Sequence, residues 1–222
     1  FPTKSGILGL VLCALGASGE QTELLSRFAS LRQTVISLRY HSAGGLEPKL
    51  PFLHDFLMIG AGYNEKDAWE NFLIPKKADG SSPVGGGTKL THRYYLQNAV
   101  FAVLLEVPAD IAGQTADALQ NPVYPVYLGR RCCIPTDFIY QGLYDSMEAA
   151  EAASMKKAAE KALMRNEAEH KPDKWQLFED FRVEDGESED GDVFTLNDVP
   201  VQFGTQKKYK DRRVTKIVKR EE

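Results

Sequence analysis

The sequence predicts an α+β chain built on a ferredoxin-like (RRM-like) βαββαβ domain, the arrangement that RNA-recognition modules share. Three observations carry the prediction. Apolar residues recur at helical spacing ahead of a strand-like run that ends at Tyr40. A second run, residues 93–107, is rich in Val, Phe, Leu and Tyr and leads into another helical stretch. Between the two runs, about residues 41–92, no period is sustained. The order is helix, strand, insertion, strand, helix, strand, and one further strand in front completes the pattern.

Thr3 or Ser5 can cap a helix over residues 6–17, and Leu24, Leu25, Phe28 and Leu31 define a second over 22–31. Residues 35–40 read as a strand. The insertion holds Gly44-Gly45, Gly60, Gly62, the turn Asp79-Gly80-Ser81-Ser82-Pro83 and Gly85-Gly86-Gly87. A structureless loop of that length is uncommon unless it functions, so a hairpin or short helices are expected there. Pro108 or Asp110 starts a helix to Leu119, and residues 124–127 read as a short strand. Residues 146–168 form a long alanine-rich helix with Lys157, Lys161 and Arg165 on one stripe, read as a solvated face. Strand-like stretches follow at 175–183, 192–196, 199–203 and 213–218. The expected division is a ferredoxin-like domain over 1–140 with a thumb insertion at about 41–92, and a helix plus β extension over 141–222 packed on it.

Hydrophobic residues make up 43% and charged residues 26% of the 222, an ordinary balance for a chain that buries its own core. The net charge of −4 arises entirely beyond residue 140, yet Lys207, Lys208, Lys210, Arg212, Arg213, Lys216, Lys219 and Arg220 make that end locally basic. Net charge therefore does not exclude a polyanionic partner. Residues 4–18 imitate a secretory signal, but Gly6 and Gly9 fit a close-packed core helix, and no apolar run is long enough to span a membrane. The three cysteines, two of them adjacent, do not form a disulfide framework, which points to a reduced, cytoplasmic setting.

The stretch VYPVYLGRRCCIP, residues 123–135, raises the question of chemistry most directly. Adjacent Cys132 and Cys133 give neither CxxC geometry nor a zinc set, and the four histidines lie far apart, so no metal and no cofactor are expected. Gly129 permits a tight turn, and Arg130 and Arg131 supply forked donors that match phosphate. A plain turn with two solvated arginines accounts for the same residues. In Pro2-Thr3-Lys4-Ser5-Gly6, a helix start offers amides, hydroxyls and a lysine to an anion, an attraction of ~0.3–1 kcal/mol per charge. An ordinary N-cap with a solvated lysine explains it too. In Thr91-His92-Arg93-Tyr94-Tyr95-Leu96, Arg93 suits phosphate or solvent equally, and Tyr95 reads as core. Gly85-Gly86-Gly87-Thr88-Lys89 lacks Walker spacing and reads as a loop.

Taken together, FPTKSGILGLVLCALG, LTHRYYLQNAVF, YPVYLGRRCCIP and NDVPVQFG followed by RRV resemble the CasD branch of the Cas-five family, subunits of type I-E CRISPR Cascade complexes. The segments fall in the family's order and span most of the chain. The family opens with a strand before FPTKSG, so this chain is expected to lack its first strand. The resemblance implies a ferredoxin-like domain with a thumb, and a non-catalytic subunit that caps the 5′ handle of the CRISPR RNA. It implies contacts with the neighbouring backbone subunit and the large subunit, and with target DNA only through the complex. The residues expected to hold the handle are Thr3, Lys4, Ser5, Gly6, Lys89, Arg93, Tyr127, Gly129, Arg130 and Arg131. Relatives in another subtype cut repeat RNA without metal, which leaves an endoribonuclease as the alternative, with His92 the nearest candidate acid–base group. Exposed Phe56, Leu57, Trp69 and Phe72 are expected to need partners.

Overall fold

The computed structural model describes residues 1–59, 66–69, 76–81 and 89–219. It divides into two compact units: Phe1–Glu47 with Val100–Glu222, and Pro48–Ala99. Residues 141–222 belong to the first unit with 1–47 and 100–140. Gly60, Gly62, Phe72, Pro83, Gly85-Gly86-Gly87 and Arg220 lie outside the described residues.

The first unit is a mixed α/β body around a six-stranded antiparallel sheet. Helices α1 (Lys4–Leu15) and α2 (Thr22–Phe28) precede β1 (Gln33–Ser42), which turns into the two-residue β2 (Gly45–Leu46). After the second unit come β5 (Val100–Leu105), α3 (Ala112–Gln120) and the long α4 (Met147–Ala168). Three strands then finish the chain: β6 (Gln176–Asp185), β7 (Asp192–Gln202) and β8 (Lys208–Val218). The sheet runs β2-β1-β6-β8-β7, with β5 on the same edge of β1 as β2.

Alternation along β1 explains the layering. Ile36 and Leu38 turn to one face, where Leu104, Leu177 and the small Ala158 and Ala162 of α4 close over them. Val35 turns to the other, against Val183 and Val214. A third cluster, Leu8, Leu12, Leu25 and Phe28, joins α1 and α2 and takes in Phe203. Arg182 fixes α4 to the sheet by pairing with Glu151 at 2.5 Å and with Glu179 at 2.6 Å. Ser146 caps α4, its hydroxyl accepting from Ala149 N–H at 3.2 Å.

The run 93–107 carries β5 and also the end of β4 (Lys89–Tyr95), with a break between them where Asn98 takes φ 49°. Two expectations are corrected. Residues 124–127 do not form a strand, because Pro122 and Pro125 remove donors and Val123 N–H is taken by Ala14 C=O at 2.9 Å. The Lys157–Lys161–Arg165 stripe is more than a solvated face. Lys161 meets Asp137 at 2.6 Å, and Arg165 grips Glu47 and Glu169 while lying over the rings of Tyr40 and Trp175.

The second unit is described mainly by one hairpin, β3 (Leu53–Ile59) paired with β4 in antiparallel register. Alternation sends His54, Phe56, Met58, Leu90, His92 and Tyr94 to one face. Phe56, Met58, Leu90 and Tyr94 are each more than half exposed.

Candidate nucleic-acid interface

The start of α1 is built differently from the expectation. Thr3 caps it, its hydroxyl accepting from Gly6 N–H at 3.2 Å and lying 3.2 Å from that of Ser5. The Lys4 side chain, however, is only 2% exposed. Its ammonium donates to Leu31 C=O and, at 3.3 Å, to Ala29 C=O, and lies 3.7 Å from Asp185. The Lys4 amide donates to Asp198 at 2.8 Å, so an internal carboxylate already occupies the positive end of the helix. The expectation that Lys4 grips a phosphate is therefore corrected: the cation is enclosed, and Asp198 would repel an anion approaching that end. Burial lowers the pKa of Lys4 against the opposing pull of Asp185. Burial also works against the Asp198 carboxylate, but Arg212 and the Lys4 amide outweigh it and hold its pKa down. Thr3 and Ser5 remain half-buried and Gly6 exposed.

The arginine turn is a small closed structure. Leu128 N–H donates to Cys133 C=O at 2.8 Å, Cys133 N–H to Arg130 C=O at 2.8 Å, and Gly129 N–H to Tyr127 C=O at 3.0 Å. Gly129 sits at φ 82°, where a side chain would be strained. Arg130 and Arg131 are exposed at the tip, Tyr127 half-buried behind them. The segment is anchored on the end of α1: Val123 N–H reaches Ala14, and the Cys13 thiol lies 3.5 Å from Pro125 C=O. A Cβ at Gly16 would come within 2.8 Å of Val123, so the glycine is what lets the segment seat there. Since α1 has 12 residues and rises about 18 Å, the anchor lies at the opposite end from Thr3–Lys4. Cys132 and Cys133 form no disulfide, their sulfurs 4.0 Å apart, and burial with the neighbouring Cys132 thiol raises the Cys133 pKa. Cys133 is therefore not a poised thiolate.

Lys89 and Arg93 belong to the second unit, both on β4. The Arg93 side chain is exposed, whereas Tyr95 is half-buried. The feature that sequence reasoning missed is His54. Register brings it diagonally across from His92, with Nε2 and Nδ1 2.8 Å apart and the rings stacked at 5.1 Å. Tyr94 stacks on His54 at 4.6 Å and Phe56 tilts against His92 at 5.1 Å. The signal was present as matched alternation, His-x-Phe-x-Met facing Leu-x-His-x-Tyr, but it is legible only once the two runs are known to pair.

Near the end of the chain, Arg212 is held by Asp198 at 2.7 Å and by Asp185, and Arg213 by Glu187 at 2.7 Å. Asp198 thus ties the NDVPVQFG segment and the RRV segment to the start of α1. Among the described residues no group of three metal-ligating side chains occurs, and no helix is long and apolar enough to cross a membrane.

Comparison with known proteins adds the following. A family model described as CRISPR-associated protein (Cas_Cas5) matches residues 1–215. Among solved structures, a chain described as "CRISPR RNA-guided surveillance complex" is 26% identical, with a TM-score of 0.61 over 98% of this chain and 80% of that one. A second, described as "Crystal structure of Cas protein", is 20% identical with a TM-score of 0.50 and the same coverage, a likeness of fold. No curated protein matches the sequence.

Proposed function

Because this chain belongs to the CRISPR-associated Cas5 family, we propose that it is a non-catalytic RNA-binding subunit of a CRISPR surveillance complex, capping the 5′ handle of the guide RNA. The observation that carries this reading is the arginine turn. Its backbone is closed by its own hydrogen bonds and anchored on α1, and both of its arginines are exposed. Preformed forks of this kind suit phosphate oxygens, while splayed handle bases supply sequence-dependent contacts. Arg93 and the stacked faces of the β3–β4 hairpin offer the other ingredient, aromatic surface at ~1–3 kcal/mol per stacked base. The reading places the protein in the type I-E, CasD branch and in the cytoplasm, with β1 and β5 as the middle strands of a ferredoxin-like pattern whose thumb is the hairpin unit. Its partners are the guide RNA, a backbone subunit at the thumb and a large subunit elsewhere, and target DNA is met through the complex. No cofactor is called for.

The test is a complex reconstituted with Arg130→Ala and Arg131→Ala together. Guide-RNA retention is expected to fall at least about tenfold, two charge-assisted contacts being at stake. Unchanged retention would favour a module that touches only protein.

A second reading, metal-independent cleavage of repeat RNA, is favoured by the His54–His92 pair, since two imidazoles in hydrogen-bond contact are the side chains most often used for general acid–base work. Its mark is specific cleavage of repeat RNA with chelator present, abolished by His92→Ala.

A further inference from the structure

We propose that the tip of the β7–β8 hairpin, residues 207–210, is a second contact for a nucleic-acid phosphodiester backbone, distinct from the arginine turn and indifferent to handle sequence. The inference starts from how the first unit disposes of its cations. Arg27, Arg32, Arg39, Lys157, Lys161, Arg165, Lys171, Lys174, Arg182, Arg212 and Arg213 all have carboxylate partners. Lys216 lies over the ring of Phe181. Lys156, Lys219 and Arg131 also show no such partner among the described residues, but Lys207, Lys208 and Lys210, engaged by no ion pair or side-chain hydrogen bond there, fall together within four positions and are all exposed.

Register explains why they stay unpaired. Lys208 faces Gln202, Tyr209 faces Pro200 and Lys210 faces Val199, none of them charged. Lys208 and Lys210 share one face of β8, about 7 Å apart at the strand rise, a spacing that lets two ammonium groups follow successive phosphates. Tyr209 is 36% exposed beside them. The acidic neighbours are Asp211, occupied by the Asn197 amide at 2.6 Å, and Glu20, whose side chain lies near Gly204 and whose carbonyl accepts from Phe203 N–H at 3.0 Å. That last bond pins the tip to the α1–α2 connection, the end of α1 on which the arginine turn is also anchored. Three ammonium groups on a pinned hairpin lose less freedom on binding than the same three on a loose tail.

The test uses the full chain, a labelled single-stranded RNA of unrelated sequence and a labelled DNA duplex, with affinity followed between about 50 and 200 mM salt. Replacing Lys207, Lys208 and Lys210 by Ala should flatten the slope of log affinity against log salt. The expected change is about 2 on single-stranded RNA, or about 3 on the duplex, at ~0.7 and ~0.9 per lost contact. The corresponding Lys→Gln triple, which keeps the side-chain stems, should do the same. Loss on the RNA arm alone identifies a single strand as the source of the phosphates, loss on the duplex arm alone identifies DNA, and loss on both leaves the shared chemistry as the ligand. A control removes the same charge from paired sites by Lys157→Ala, Lys161→Ala and Lys171→Ala. The proposal fails if the tip triple leaves both slopes unchanged, or if the control flattens them equally. Because the probes lack the handle, and Arg130 and Arg131 are intact throughout, failure here leaves the handle reading standing and the converse also holds.

Discussion

The ammonium of Lys4 is enclosed by Ala29 C=O, Leu31 C=O and Asp185, and the same residue's amide fixes Asp198. Arg131, the same charge in sign, stands exposed at a turn. The difference sets their energetics. Removing the enclosed cation strands two carbonyls and unbalances a cluster that also contains Arg212, a loss in the range of about 3–5 kcal/mol. Removing the exposed one should fall within about 0.5 kcal/mol. Lys4→Ala should therefore shift the denaturant midpoint strongly while Arg131→Ala hardly moves it, and equal midpoints would show that Lys4 is not structural. From the sequence, Lys4 and Arg130 looked alike, because cationic character is visible in the chain and enclosure is not. The acidic partners that decide the matter, Asp185 and Asp198, lie more than 180 residues away.

Helices were the most legible elements. Both long ones start where a cap residue announces them, Thr3 for α1 and Ser146 for α4, since a helix start is a local event settled within three residues. Strands were less legible because pairing is not local. The register that brings His54 to His92 joins runs 38 residues apart, and the failed strand at 124–127 is decided by its docking on α1. That docking yields a prediction at this scale. Gly16 ends α1 at φ 72°, and a Cβ there would stand 2.8 Å from Val123. Gly16→Ala combines left-handed strain with that overlap and should cost more than about 1 kcal/mol. It should also expose the Cys13 thiol, which faces Tyr124 and Pro125 carbonyls, to faster alkylation, as read by mass spectrometry. Unaltered stability and unaltered Cys13 labelling together would mean that the segment is not seated by this contact.

The chain as a whole separates a body from a hairpin unit. Among the described residues, each of the body's three apolar clusters draws every member from residues 1–47 and 100–222. The ends left by removing Pro48–Ala99 are also close. Glu47 N–H donates to Tyr40 C=O and Val100 pairs with Leu38, two positions along the same edge of β1, hence about 7 Å apart. A four-residue Gly/Ser linker spans that gap easily. Replacing residues 48–99 by such a linker should leave a body that unfolds cooperatively, at unchanged or higher stability, because shortening a loop lowers its closure cost by about 0.6 kcal/mol per halving. The same protein should lose guide-RNA retention in the reconstituted complex, since Arg93 and the stacked face of His54 and Tyr94 go with the hairpin. Cooperative unfolding is read by circular dichroism against denaturant, and retention by the RNA that copurifies with the complex. A body that melts without cooperativity would show that its core extends into the removed unit. A body that folds and still retains the RNA in full would confine handle binding to the arginine turn.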